Sequence, residues 1–131
     1  MKLAALGALY PALPGASMAA TPAGGLAYRV FTATRQGLNR DVPPGKESLM
    51  WVANSSTLVH GRRDAVLVDT FVTVAQAGAL ADQVEATGKR LTTIYITHAH
   101  GDHFLGLKVL LDRFPQARAL ATPEVAAGIV P

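Results

Sequence analysis

The chain contains no cysteine. Disulfides, thiolate metal ligands and thiol nucleophiles are therefore excluded, although this leaves the compartment open. Aromatic residues are scarce at 6 % and charged residues make up 16 %. The basic residues, among them Arg29, Arg35, Arg40, Arg62, Arg63, Lys89, Arg90, Arg113 and Arg118, are spread along the chain and never alternate with aromatics in a run. The net charge of +3 thus describes a mildly basic solvated surface, and nucleic acid is not an expected partner. No apolar run approaches the about 20 residues that cross a bilayer, so no transmembrane segment is expected. Internal repeats and low-complexity tracts are absent too. With 131 residues, half of them hydrophobic, the chain can bury one small core rather than two.

Histidine is also rare, and its distribution is the main signal. Of four histidines, three fall in the window His98-Ala99-His100-Gly101-Asp102-His103. Neutral imidazole and carboxylate are good ligands for a borderline ion such as zinc. His98 and His100 are two residues apart, so on extended backbone they point to the same side and can converge on one ion. Asp102 and His103 would point apart on extended backbone, and a turn or helix start re-aims them, with Gly101 expected to supply the freedom for it. The window follows the apolar run Ile94-Tyr95-Ile96, and the carboxyl end of a strand is where α/β folds place their chemistry. A catalytic zinc takes three protein ligands and keeps one open position. Each pair is therefore one ligand short. The remaining histidine, His60, sits at a turn and is read as solvated rather than as a ligand.

The coarse organisation is consistent with that placement. Met1-Lys2, the apolar stretch Leu3 to Leu13 and the small residues 15–20 have the three-part form of a secretory signal, interrupted by Pro11 and Pro14. The alternative is a disordered leader on a cytoplasmic protein. Residues 1–25 are set apart on this basis as signal or leader, with 15–25 as linker, from a domain at 26–131. Strands are expected at Tyr28–Thr32, Met50–His60 and Ala65–Asp69, the last two as a hairpin around Gly61–Asp64. Arg35–Ser48, with Pro43-Pro44-Gly45, reads as a loop. Small and apolar residues at Val72, Ala75, Ala79, Leu80 and Val84 predict a helix over 72–87 that stops at Gly88. Leu91–Thr97 reads as a buried strand, 106–114 as a helix ended by Pro115, and 117–121 as a short strand. Thr122-Pro123-Glu124 reads as a helix start.

The string Thr97-His98-Ala99-His100-Gly101-Asp102-His103 matches T-H-x-H-x-D-H, and in this it resembles the metallo-β-lactamase superfamily. Ala65-Val66-Leu67-Val68-Asp69-Thr70 is similar to that family's strand ending in an aspartate. The resemblance covers about residues 26–131. It implies an α/β (α+β) fold, the amino-terminal half of an αββα sandwich. It also implies that His98 and His100 bind a first metal, that Asp102 and His103 bind a second, and that Asp69 hydrogen-bonds around the motif loop. On the residues alone, the alternative for Asp69 is a turn-forming aspartate at a strand end. Family members take a third histidine, a bridging acid and a final histidine from downstream, and none follows the motif here. The expectation is accordingly a fragment of a longer protein or a truncated product.

The function implied by the resemblance is a metal-dependent hydrolase using one or two ions, zinc first and iron as the other candidate. Its substrate is a small molecule: a thioester, lactone, β-lactam or phosphodiester. Asp102 is the expected catalytic residue, orienting the attacking water and taking up its proton. Two alternatives stand beside it. One is an iron-dependent oxidoreductase of the same superfamily, although the flavin-linked members tend to carry glutamate where His100 stands. The other is an inactive half-domain.

Overall fold

Gly61 turns the chain between two strands, its N–H donating to the Asp64 carbonyl at 2.9 Å. In the computed structural model, which describes residues 17–18, 25–37 and 41–129, these strands are β3 (Trp51–His60) and β4 (Asp64–Val68). They pair antiparallel with Leu58 opposite Leu67, the hairpin expected from the sequence. β2 (Ala27–Gln36) runs antiparallel along the whole of β3, from Ala27 opposite His60 to Gln36 opposite Trp51. Arg35 therefore lies in a strand, not in the loop expected from its polar neighbours. The pairing partners on β3 override local composition. A 3₁₀ turn at Glu47–Met50 leads into β3.

Two of the residues expected in a linker, Ser17 and Met18, form the short strand β1 against Val30 and Arg29. The free edge of β2 offers unpaired backbone groups that a passing segment can satisfy. The signal or leader assigned to 1–25 otherwise falls almost wholly outside the described residues.

After β4 the connections change character. Helix α1 (Val74–Glu85) carries the chain to β5 (Arg90–Tyr95), which is parallel to β4. Thr73 caps α1, its Oγ1 accepting from Gln76 N while the Gln76 side chain accepts from Thr73 N, a reciprocal capping box. Gly88, in the left-handed region at φ 65°, closes the turn after it. The buried face of α1 is Ala77, Leu80, Ala81 and Val84, the i, i+3, i+4, i+7 spacing of a helix stripe. Of the residues whose spacing predicts the helix, Leu80 and Val84 are buried, Ala75 is exposed and Ala79 is half-buried.

Two short helices follow, α2 (Gly101–Phe104) and α3 (Leu107–Arg113), then β6 (Arg118–Leu120), parallel to β5, and α4 (Pro123–Ile129). Among the described residues the sheet has six strands in the order β1-β2-β3-β4-β5-β6. Phe31, Ala33, Leu58, Ala65, Leu67, Leu91 and Ile94 point to one face and meet α1, α3 and Phe71 in a single core. On the opposite face Val66, Val68 and Tyr95 are only half-buried. One sheet with one helical layer is the α/β arrangement expected for the first half of an αββα sandwich. No helix among the described residues is long and apolar enough to cross a membrane.

Candidate metal centre

β4 and β5 end side by side, and the Asp69 N–H donates to the Tyr95 carbonyl at 2.8 Å. The chain then turns sharply. Asp69 adopts φ 61°, the positive-φ non-glycine residue among the described positions. Aspartate tolerates this left-handed geometry better than most residues, at a cost of about 1 kcal/mol. The turn aims its carboxylate across the sheet end at the motif loop. Oδ1 accepts from Thr97 N at 2.8 Å, and Oδ2 accepts from Thr97 Oγ1 at 2.7 Å and from His103 Nδ1 at 3.0 Å. A buried aspartate thus ties together the two ends of the loop that carries the histidines.

These bonds fix the state of two rings. A carboxylate only accepts, so His103 Nδ1 carries the proton and its Nε2 is left as a bare donor to an ion. The Thr97 hydroxyl spends its proton on Asp69, so it accepts from His98 Nδ1 at 3.0 Å, which leaves His98 Nε2 equally bare. His98 stacks obliquely on His103 with ring centroids 3.9 Å apart and meets the His100 ring edge-on at 4.7 Å. The structure therefore gathers all three imidazoles. The backbone bends at His98 and Ala99 rather than running extended as expected, and His100 then caps α2, its carbonyl accepting from His103 N. Thr70 anchors the same turn: its N–H and its hydroxyl both donate to the His103 carbonyl, at 2.9 and 3.0 Å.

Gly101 acts differently from its expected role. It begins α2 without a positive φ, and a Cβ there would lie 3.0 Å from Leu105 Cδ1. What it provides is room. Gly106 is tighter: a Cβ would lie 2.7 Å from the Phe71 carbonyl oxygen and 2.9 Å from Ala77 Cβ.

Asp102 projects toward the antiparallel strands. Asn54 Nδ2 donates to its Oδ2 at 2.6 Å, and Arg35 donates to the same oxygen at 3.1 Å. The Asn54 amide bond is the largest influence on this carboxyl. Burial opposes it, and Arg35, the backbone and His103 reinforce it, holding the pKa down at about 2. Its other oxygen, Oδ1, is 4.0 Å from His103 Nε2. Tetrahedral ligands with bonds of about 2.0–2.1 Å stand about 3.3–3.4 Å apart, so these two atoms are wider apart than a bound ion would hold them, while the donor types, imidazole and carboxylate, suit a borderline divalent cation. One donor atom each from Asp69, His98 and His103 also lie within 4.8 Å of one another. The Asp69 oxygens, however, already hold three hydrogen bonds, which suits a residue that orients ligands better than one that binds the ion.

His60 lies apart, at the hairpin end of β3. It is half-buried rather than solvated, its Nδ1 is 3.2 Å from the Gly61 carbonyl, and it borders a groove of about 450 Å³ with Leu26, Arg62 and Arg63. Sequence reasoning did not find Arg35, Asn54 or Thr70. The available signal was the polar run Asn54-Ser55-Ser56-Thr57 inside a strand, with Asn54 and Ser56 on its inner face.

Residues 49–129 match the family model described as the metallo-beta-lactamase superfamily. Among curated proteins, a hydroxyacylglutathione hydrolase from Acidiphilium cryptum is 32 % identical over 112 residues, covering 81 % of this chain and 40 % of the relative. Another from Francisella tularensis subsp. novicida is 30 % identical, covering 56 % of this chain and 30 % of the relative. Among solved structures, a metallo-beta-lactamase from Hirschia baltica superposes with a TM-score of 0.63 at 19 % identity, covering 87 % of this chain and 46 % of its own. One from Pseudomonas aeruginosa, in a mono-zinc form, gives 0.62 at 17 %, covering 87 % and 45 %. The chain spans less than half the length of the relatives it matches.

Proposed function

Because the chain belongs to the metallo-beta-lactamase superfamily, we propose that it carries the metal-holding segment of a metal-dependent hydrolase, with zinc as the ion. His98 and His100 serve one ion, and Asp102 with His103 serves a second. The observation that supports this most directly is the gathering of three imidazoles and an ionised carboxylate at one sheet end, with Asp69 fixing the tautomer of His103. When bound there, zinc polarises a carbonyl and acidifies water toward neutrality.

The protein's own groups do the rest. Asp69 accepts from His103 Nδ1, so the proton of the neutral ring sits there and Nε2 is the atom left for an ion. Thr70 holds the backbone of the same residue in place. Asp102 stays ionised at neutral pH, so it orients and binds. Held at about 2, it is a weak proton acceptor.

For the substrate we favour an acyl thioester. The curated relatives at 30–32 % identity are named hydroxyacylglutathione hydrolases, whereas the β-lactamases are alike in fold at 17–19 % identity. The test pairs elemental analysis of the wild type, His100→Ala and His103→Ala with assays on a hydroxyacyl-glutathione thioester, a lactone, a β-lactam and a phosphodiester. Expected are loss of metal and activity together in both variants and preference for the thioester. Unchanged metal content in both variants would overturn the ligand assignment. Faster turnover of another substrate would overturn the thioester alone.

A further inference from the structure

Two side chains that touch Asp102 come from a different part of the molecule than the motif does. Arg35 stands near the end of β2 and Asn54 in the middle of β3, and both donate to one atom, Oδ2. Oδ1 receives neither bond and faces His103 Nε2 at 4.0 Å. The two donors are otherwise poorly served. Arg35 Nε and Asn54 Oδ1 are buried without a hydrogen-bond partner, although Asn54 is only 8 % exposed. Buried polar atoms are normally paired, and a polar pair kept for strand stability would be satisfied at both ends. This pair is well satisfied toward Asp102. The further side-chain bond of Arg35 is a 3.3 Å contact with the neighbouring Gln36 carbonyl.

We propose that Arg35 and Asn54 are positioning residues of the metal centre. By occupying Oδ2 from the sheet side, they present Oδ1 alone to the ion shared with His103. They thereby set the affinity of that position without touching the ion held by His98 and His100. This rests on the functional reading above. A carboxylate free to rotate offers either oxygen, or both, and loses orientational freedom on binding. One whose Oδ2 is held by two donors from the paired strands β2 and β3 is already oriented. Asn54 is neutral, so its effect is orientation alone. Arg35 adds a charge that opposes the ion, so the two can be separated.

The experiment is a Zn²⁺ titration of the full chain against a chromophoric chelator, resolving the two affinities. Asn54→Ala should weaken the second zinc by about 10–100-fold, the range for lost outer partners of a metal ligand, and leave the first within about threefold. Asn54→Ser, which keeps a short donor, should recover part of the loss. In an Asp102→Asn background, Asn54→Ala should change nothing further, because its route to the metal is gone. If Asn54→Ala does not fold, Arg35→Lys, which keeps the charge but loses the planar fork, should also weaken only the second zinc. Equal loss of both ions, additivity with Asp102→Asn, or unchanged affinities would overturn the proposal and leave the hydrolase reading standing. A wild-type chain that binds no zinc would overturn both.

Discussion

Adding one methyl group at Gly106 should destabilise the fold, while the same methyl at Gly78 should stabilise it. Gly106 has φ −74° and ψ −5°, a helical conformation that alanine adopts freely. On backbone grounds alone the substitution should gain about 0.4–1 kcal/mol. The new Cβ, however, would sit 2.7 Å from the Phe71 carbonyl oxygen, 2.9 Å from Ala77 Cβ and 3.1 Å from Thr70 Oγ1. Two of these neighbours are backbone or the root of a helix side chain and cannot swing aside. Overpacking of this kind costs about 1–3 kcal/mol, so the net expectation is about 1–2 kcal/mol of destabilisation. Gly78, inside α1, has nothing within 4 Å of an added Cβ, and alanine there should gain about 1 kcal/mol. At about 4–8 °C per kcal/mol for a domain of this size, thermal unfolding of the metal-free protein should move in opposite directions for the two variants. Gly106→Ala should also weaken zinc binding, because the displaced segment includes Thr70, which holds His103. A Gly106→Ala protein as stable as the wild type would show that the α1–α3 contact has slack, and the packing argument would fail.

Asp69→Asn places an amide donor against the N–H groups of Thr97 or His103. It should cost about 1–3 kcal/mol and weaken zinc binding about 10–100-fold, measured by denaturant titration and chelator competition. Asp102 gives a pH dependence. Its carboxyl sits at about 2 in the fold against 3.8 for the free group, so the unfolded chain binds more protons between those values. The metal-free protein should hold about 2 kcal/mol from this source at pH above about 4 and lose it as pH falls through about 2. Asn54→Leu should shrink that acid-side loss, since the Asn54 bond is its largest cause. Asp112→Asn should shift stability by less than about 0.5 kcal/mol, because Lys108–Asp112 is an exposed i, i+4 pair.

The parts legible in the sequence were those specified locally. The motif has its candidate ligands within six residues, and the segments at 51–60, 64–68, 74–85 and 118–120 announce themselves by alternation, helical spacing or turn residues. The parts that were not legible depend on pairing across long separations. Arg35 looks like loop sequence until β3 is laid beside it. Asn54 is an ordinary polar residue until Asp102 arrives 48 residues later. The spacing of α1 is legible but its buried face is not, because alanines lie on both sides of it and small residues mark a face weakly. The role of Asp69 was visible in outline from the resemblance, but its left-handed backbone was not. That conformation accompanies bonds to Thr97 and His103, which lie 28 and 34 residues further on.

The bonds from Asp102 to Arg35 and Asn54 span 67 and 48 residues of chain. They join the antiparallel strands β2 and β3 to the α/β segment, which closes through a helical crossover. On the proposed reading, an ion bound to Asp102 would brace these long-range bonds within the single core. At free metal about a hundredfold above its dissociation constant, mass action adds about 2.7 kcal/mol to the folded state. That stabilisation should spread into β2 and β3, which contribute no residue of the motif. Their amide protons should exchange more slowly with zinc present, together with those of the loop at 97–103.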